Sequence, residues 1–223
     1  MFRFLLALGL IFWETSAFSQ MTARRPVVRA SGTGVVSVKP DQVKISVGVT
    51  TTGETAQDAS DRNAAQTTEV INALRQLLGA NADIKTLNYT LSQTRDRNNQ
   101  PTGFSVSNTV QVTSSDLNGA GRVIDTATKA GATVIYGLSF SLKDPQPARQ
   151  QALRLATMQA KVSTEAIASG LGMRVGNVMV AEQGGSISQP FTDTRLAAGA
   201  GTPIEVGNVE VNAIVTIEAE LIP

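Results

Sequence analysis

Val209-Glu210-Val211-Asn212-Ala213-Ile214-Val215-Thr216-Ile217-Glu218-Ala219-Glu220-Leu221 decides the fold. Every odd position is apolar, and the even positions carry Glu, Asn, Thr and a single Ile. A period of two is that of a strand with one face buried. A run of about thirteen residues is long against the usual five or six. Such a strand must find partners. One expectation is that it pairs with its own sheet at one end and with a neighbouring molecule at the other; the other is that it closes its own sheet.

Working back from it, residues 184–207 are rich in Gly, Ser and Pro and too long for an ordinary connection. Val175 to Ala181 reads as another strand. Before it lies the strongest helical period in the chain, from Pro145 to about Ser169. Ala152, Leu153, Ala156, Ala160, Ser163, Ile167 and Leu171 recur at helical steps, and the small residues would let a neighbouring element approach closely. Asp144-Pro145 suits a helix start, and Gly170 and Gly172 suit its end. Val134, Tyr136, Leu138, Phe140 and Leu142 give a strand face. A short helix is expected from an N-cap at Ser115 to about Lys129, closed by Gly131.

The first half reads strand, strand, helix, strand, strand. Residues 20–30 look like a flexible lead, and Gly32-Thr33-Gly34 opens a strand through Val38. Val43, Ile45, Val47 and Val49 alternate with polar residues after the turn at Pro40-Asp41. Thr55 and Asp58 form a capping-box pattern for a helix that Gly79 stops, with Val70, Leu74, Leu77 and Leu78 on one face. Leu87, Tyr89 and Leu91 alternate along Ile84–Thr94, and Phe104, Val106, Val110 and Val112 along the next strand, where Asn108 interrupts the apolar face. The class is α+β: antiparallel or mixed sheets with helices on one face. The expected units are an α+β subdomain over 31–114, a second over 115–183, the loop 184–207 and a C-terminal strand over 208–223 returning to the sheet.

Residues 1–19 have the pattern of a secretion signal. Arg3 is followed by an uncharged apolar run from Phe4 to Trp13, and Ala17-Phe18-Ser19 supplies the small residues of a cleavage site before Gln20. That run is shorter than the roughly 20 residues a membrane span needs. The expected destination is the periplasm, with a cut after Ser19. The only tryptophan, Trp13, would leave with the signal.

Composition excludes more chemistry than it offers. The 223 residues contain no histidine and no cysteine. That rules out a Ser-His-Asp triad, a cysteine nucleophile, a zinc finger and disulfides. Lys plus Arg number 19 against 18 for Asp plus Glu, so no global field draws in nucleic acid or anionic lipid. Arg24, Arg25 and Arg29 are read as a solvated tether. Gly103–Ser107, Gly137–Ser141 and Gly184–Ser188 read G-x-S-x-S, not the G-x-S-x-G of a nucleophile elbow. Asp58 and Asp61 lie where a helix dipole favours acids. Glu210, Glu218 and Glu220 share one strand face, as calcium ligands or, more simply, as a solvated edge. Asn88-Tyr89-Thr90 fits a glycosylation sequon but sits in a strand. Met158, Met173 and Met179 are assigned to core packing. No catalytic, cofactor or metal residue is singled out.

An ordered set of short matches resembles the SIMPL-domain family (domain of unknown function 541). It comprises Gly32-x-Gly34, Pro40-Asp41, Ala59 with Asn63, Asp83-Ile84-x-Thr86, Gly103-Phe104, Ser107-Asn108 and Asp116-Leu117 with Gly121 and Asp125. It continues through Gly131-Ala132, Phe140-Ser141-Leu142-x-Asp144, Ala148-Arg149, the ladder Ala152, Ala156, Ala160, then Gly170-Leu171-Gly172, Gly176 and Gly207. The sequence departs from the pattern at Val162-Ser163 and lacks a proline-rich run near 184–205. The resemblance implies a periplasmic α+β protein of two small subdomains, linked to envelope or oxidative stress, with relatives that build large homo-oligomers and no accepted catalytic residues. The expected function is therefore a non-enzymatic, self-assembling periplasmic protein whose partner is itself. The alternative is a monomeric module that binds a small ligand or a protein, with 184–207 as a lid between subdomains; carboxylate or lysine catalysis is a third class.

Overall fold

The computed structural model describes residues 25–80, 82–184 and 204–223. The expected leader 1–19, Arg24 and residues 185–203 of the expected loop lie outside them. The chain order is β1 (Val27–Val38), β2 (Gln42–Gly53), α1 (Ala56–Leu78), β3 (Asp83–Arg95), β4 (Pro101–Ser114), α2 (Ala120–Lys129), β5 (Val134–Ser141), α3 (Gln146–Gly170), β6 (Arg174–Gly184) and β7 (Val209–Ile222). The class is α+β, with two antiparallel sheets.

β7 is the middle strand of the first sheet, ordered β1-β7-β6. It pairs with β1 from Val209 to Glu220 and with β6 from Ile214 to Ile222. Most of its length is thus used inside its own chain: β1, itself twelve residues long, runs along one side, and on the β6 side only Val209–Ala213 have no strand partner among the described residues. β1 starts at Val27, so residues 27–30 are strand and not flexible lead. Alternation sends Val209, Val211, Ala213, Val215, Ile217, Ala219 and Leu221 to the buried side, as the sequence requires.

α3 lies across that buried side. Its buried positions are Ala148, Ala152, Ala156, Ala160, Thr164 and Ala168, a strict four-residue ladder. The ladder drifts around the helix because 4 exceeds 3.6, which tilts the helix on the sheet. Gly32 and Gly34 of β1 face it, and a Cβ on either would overlap helix backbone at Ala152, Ala156 or Ala160. The small residues therefore define the contact. The expected stripe is corrected at its C-terminal end, where Ile167 and Leu171 are exposed. α3 ends before it reaches further over β6, and it leaves those bulkier residues outside the contact.

The second sheet is ordered β3-β4-β2-β5. α1 and α2 cover one face, over Val43, Ile45, Val47, Val49, Val110, Val112 and Phe140. The strands are thus grouped differently from a split at residue 114: β1 joins the sheet of β7, and β5 joins the sheet of β2. The two cores share no residue. The connections 39–41 and 142–145 run side by side, tied by Asp41 N to Ser141 O at 3.2 Å and Lys143 N to Asp41 Oδ1 at 2.7 Å. Gln42 adds bonds from Nε2 to Ser141 Oγ and Leu142 O.

Three local expectations change. α2 begins at Ala120, not after Ser115. Asp116 Oδ1 accepts from Gly119 N at 3.0 Å, so Asp116 builds a turn that delays the helix. β5 carries a register shift opposite Ser46/Val47, which keeps Leu138 and Phe140 on the core side but turns Val134 and Tyr136 outward. Leu87, Tyr89 and Leu91 of β3 are exposed, because β3 is an edge strand that α1 touches only at its margin, where Tyr89 Oη donates to Ser60 Oγ at 3.2 Å.

Candidate functional site

At the far end of the second sheet, β2 hands over to α1 and the β3–β4 hairpin closes beside it. Thr55 caps α1 by accepting from Asp58 N at 3.1 Å. Asp58 Oδ1 then pairs with Arg62 Nε at 2.8 Å, so the acid of the first turn is neutralised by a cation four residues on. Gly103 has φ 145, and a Cβ there would lie 2.7 Å from Gly53 O, so two strands approach closely at this point. The result is a cleft of about 560 Å³ lined by Gly53, Glu54, Asp58, Arg62, Thr94 and Thr102, among others.

Thr102 Oγ1 donates to Thr94 Oγ1 at 2.9 Å, so these two hydroxyls engage each other and not a base. No lysine lines the cleft. A second groove of about 570 Å³ shares Thr52 and Arg62 with it and runs between the β2 edge and Ala65, Gln66 and Glu69 of α1. A third, of about 580 Å³, lies where α3 leaves β6 uncovered. Val175, Val178, Ala181, Ile217 and Ala219 form its apolar floor, and Lys161 and Glu165 stand at its rim 4.0 Å apart.

The residues considered from sequence are scattered. Glu210, Glu218 and Glu220 lie on the outer face of β7, and Glu220 pairs with Arg25 at 3.1 Å. Among the described residues no group of three or more acidic side chains could hold a metal. Arg29 pairs with Glu182 at 3.2 Å, so Arg25 and Arg29 brace the first sheet and are not a tether. The serines of Gly103–Ser107 and Gly137–Ser141 lie along β4 and β5. Asn88 Nδ2 donates to Thr90 Oγ1 within β3. Met173 packs against a core, but Met158 and Met179 are well exposed, which corrects their assignment to packing.

The polar side chain that organises this unit is Asn63, fully buried on α1. Its Nδ2 donates to Val49 O at 2.9 Å and Val106 O at 3.2 Å, and its Oδ1 accepts from Thr67 Oγ1. It fixes α1 over β2 and β4, and so fixes the walls of both grooves. Sequence periodicity passes over it because a buried Asn breaks the apolar pattern.

With the glycine contacts, the Ala ladder and the Asn63 bridge in place, the comparison with known proteins is direct: the family described as SIMPL, protein of unknown function (DUF541), matches residues 28–219. The chain belongs to the SIMPL family. The match runs from β1 into β7, so both sheets fall within the family's domain. The uncharacterized protein YggE of Edwardsiella ictaluri is 27% identical over 179 residues, 78% of this chain and 75% of its own length. The 26 kDa periplasmic immunogenic protein of Brucella melitensis biotype 1 is 24% identical over 223 residues, 90% of this chain and 88% of its own. The YggE of Escherichia coli K12 is 24% identical over 182 residues, covering 80% and 74%. Among the described residues of this SIMPL chain no helix is long and apolar enough to cross a membrane.

Proposed function

We propose that this SIMPL protein is exported to the periplasm and acts there without catalysis, through contacts between copies of itself, in a role tied to envelope or oxidative stress. The signal-like start and the Brucella relative's name support the location. The stress link rests on the family resemblance.

One observation carries the self-assembly. Two features that suggested it from sequence are largely spent internally, since β7 is paired with β1 from Val209 to Glu220 and with β6 from Ile214 to Ile222, and the small residues of α3 meet Gly32 and Gly34. What remains is apolar surface of another kind: Met158 and Val162 on the outer side of α3, and Val178, Met179 and Val180 on the edge strand β6, with Met158 and Val162 about two-thirds exposed. Apolar clusters of this kind on an edge and an adjoining helix mark contact surfaces. Sedimentation velocity of the processed protein tests the reading. A defined oligomer at micromolar concentration is expected, and a monomer alone would refute it. Peroxide and envelope-stress survival of a deletion strain tests the physiological part.

The second reading is a monomeric module for a small ligand or a protein. The grooves along β2 and α1 favour it, and a monomer in sedimentation with a ligand-dependent rise in Tm would select it.

A further inference from the structure

The row of strand pairing between β2 and β5 stops early. β5 pairs with β2 only from Gln42 to Gly48. There the chain leaves the sheet through Thr133, which closes the row with its own groups. Thr133 N donates to Gly48 O at 2.9 Å, and Thr133 Oγ1 accepts from Thr50 N at 2.9 Å. β2 continues to Gly53. Backbone groups of alternate residues point to the same edge. The Thr50 carbonyl and both backbone groups of Thr52 therefore face a side where no strand lies among the described residues.

This open edge is not on a flat rim. It forms one wall of the groove of about 570 Å³ whose other wall is α1, presenting Arg62, Ala65, Gln66 and Glu69. Gln66 Nε2 donates to Gly131 O at 2.6 Å and closes the groove at the end where β5 departs. Unpaired main-chain donors and acceptors at strand spacing fit one kind of ligand, another extended backbone. A small molecule has no repeat to match them. From Thr50 to Gly53 the edge spans roughly 10 Å at about 3.3 Å per residue, room for three or four residues of added strand.

We infer that the β2 edge from Thr50 to Gly53 is a strand-addition site for an extended segment of another polypeptide. The segment continues the β5 row antiparallel to β2. Its N-terminal end lies by Arg62, which Asp58 already pairs, and its C-terminal end by Glu69. It carries an apolar side chain over Ala65, the one small residue of the α1 wall, and a basic one beside Glu69, for which no ion pair is formed among the described residues. The inference is independent of self-assembly through α3 and β6, which lie on the other sheet.

The test pans a phage-displayed library of random linear dodecapeptides against the processed full chain. Selected peptides are then synthesised and measured against variants. Thr52→Pro removes the outward N–H, and Thr52→Val keeps it. Ala65→Trp fills the groove from an exposed helix position, so it serves if the proline variant misfolds by circular dichroism. Expected are peptides with alternating apolar residues and a C-terminal base. Their binding should weaken at least ten-fold in Thr52→Pro and Ala65→Trp and hold in Thr52→Val, with slowed exchange of the Thr52 amide on binding. Failure to enrich peptides, or equal binding to all variants, overturns the inference. Protection of the Thr52 amide that rises with protein concentration in the absence of peptide also overturns it, in favour of a second copy at this edge.

Discussion

Gly34 lies directly beneath the backbone of Ala152. A Cβ on Gly34 would overlap the Ala152 carbonyl and approach Ala156 N to 2.6 Å. Both obstacles are helix backbone, which cannot rotate away as a side chain can. Gly34→Ala must push α3 off the sheet along part of the alanine ladder. Overpacking of a tight core costs about 1–3 kcal/mol, and a rigid obstacle puts this variant at the upper end. Urea denaturation should show that loss, while Val35→Ala, on the exposed side of the same strand, should stay within about 0.5 kcal/mol.

Asn63→Ala should be nearly as damaging for a different reason. It leaves the Val49 and Val106 carbonyls without the Asn63 amide, in a site from which water is excluded. Both carbonyls keep their places in the β2–β4 ladder, so the cost is that of the lost buried hydrogen bonds, about 0.5–1.5 kcal/mol each, together with a Thr67 hydroxyl that loses its Asn63 partner. Asn63→Asp separates the donor from the shape. It places a carboxylate against two carbonyl oxygens, so burial raises its folded pKa above the unfolded value. Protons then bind the folded variant more tightly, and its stability rises as pH falls through that range. Denaturation of this variant at several pH values should therefore show its deficit shrinking in mild acid relative to the parent.

These two positions show what was legible in the sequence. Period two along Val209–Leu221 and Val43–Val49 fixed the strands, because alternation is a direct image of a half-buried sheet. The α3 contact was legible as a set of small residues, yet its exact stripe was not. Gly32 and Gly34 decide which turn of the helix comes close, and they are distant in sequence. The grouping of strands was hidden for a related reason: β1 pairs with β7, and nothing local in either names the other. Tyr136 misled because one register shift moves a side chain to the other face. The grooves were invisible, since they form where a strand stops, at Thr133 and Gly53, and periodicity reports only where strands run.

The proposed removal of the leader would have a spectroscopic consequence. Trp13 is the single tryptophan. Cleavage after Ser19 leaves Tyr89 and Tyr136 as the tyrosines and no indole, so protein recovered from the periplasm should emit with the tyrosine spectrum only. Tryptophan emission from that fraction would show that the leader is retained. Intact mass would locate the cut independently.

Methionine chemistry reports on the surfaces proposed for assembly. Met158 and Met179 are 65% and 56% exposed on α3 and β6, whereas Met173 packs beside Val175 against the α3 core. Oxidation to the sulfoxide follows access to solvent. In dilute, monomeric protein mild peroxide should therefore oxidise Met158 and Met179 well before Met173, with the fold retained, as peptide mass mapping and circular dichroism can follow. Assembly through the same surfaces reverses the order of events at those two residues. At concentrations where sedimentation shows an oligomer, Met158 and Met179 should be protected. Once oxidised, they place a polar group where the contact needs an apolar one, so the pre-oxidised protein should sediment as monomer. If protection is absent while the oligomer persists, the contact lies elsewhere, and the exposed edge of β3 with Leu87, Tyr89 and Leu91 becomes the surface to mutate.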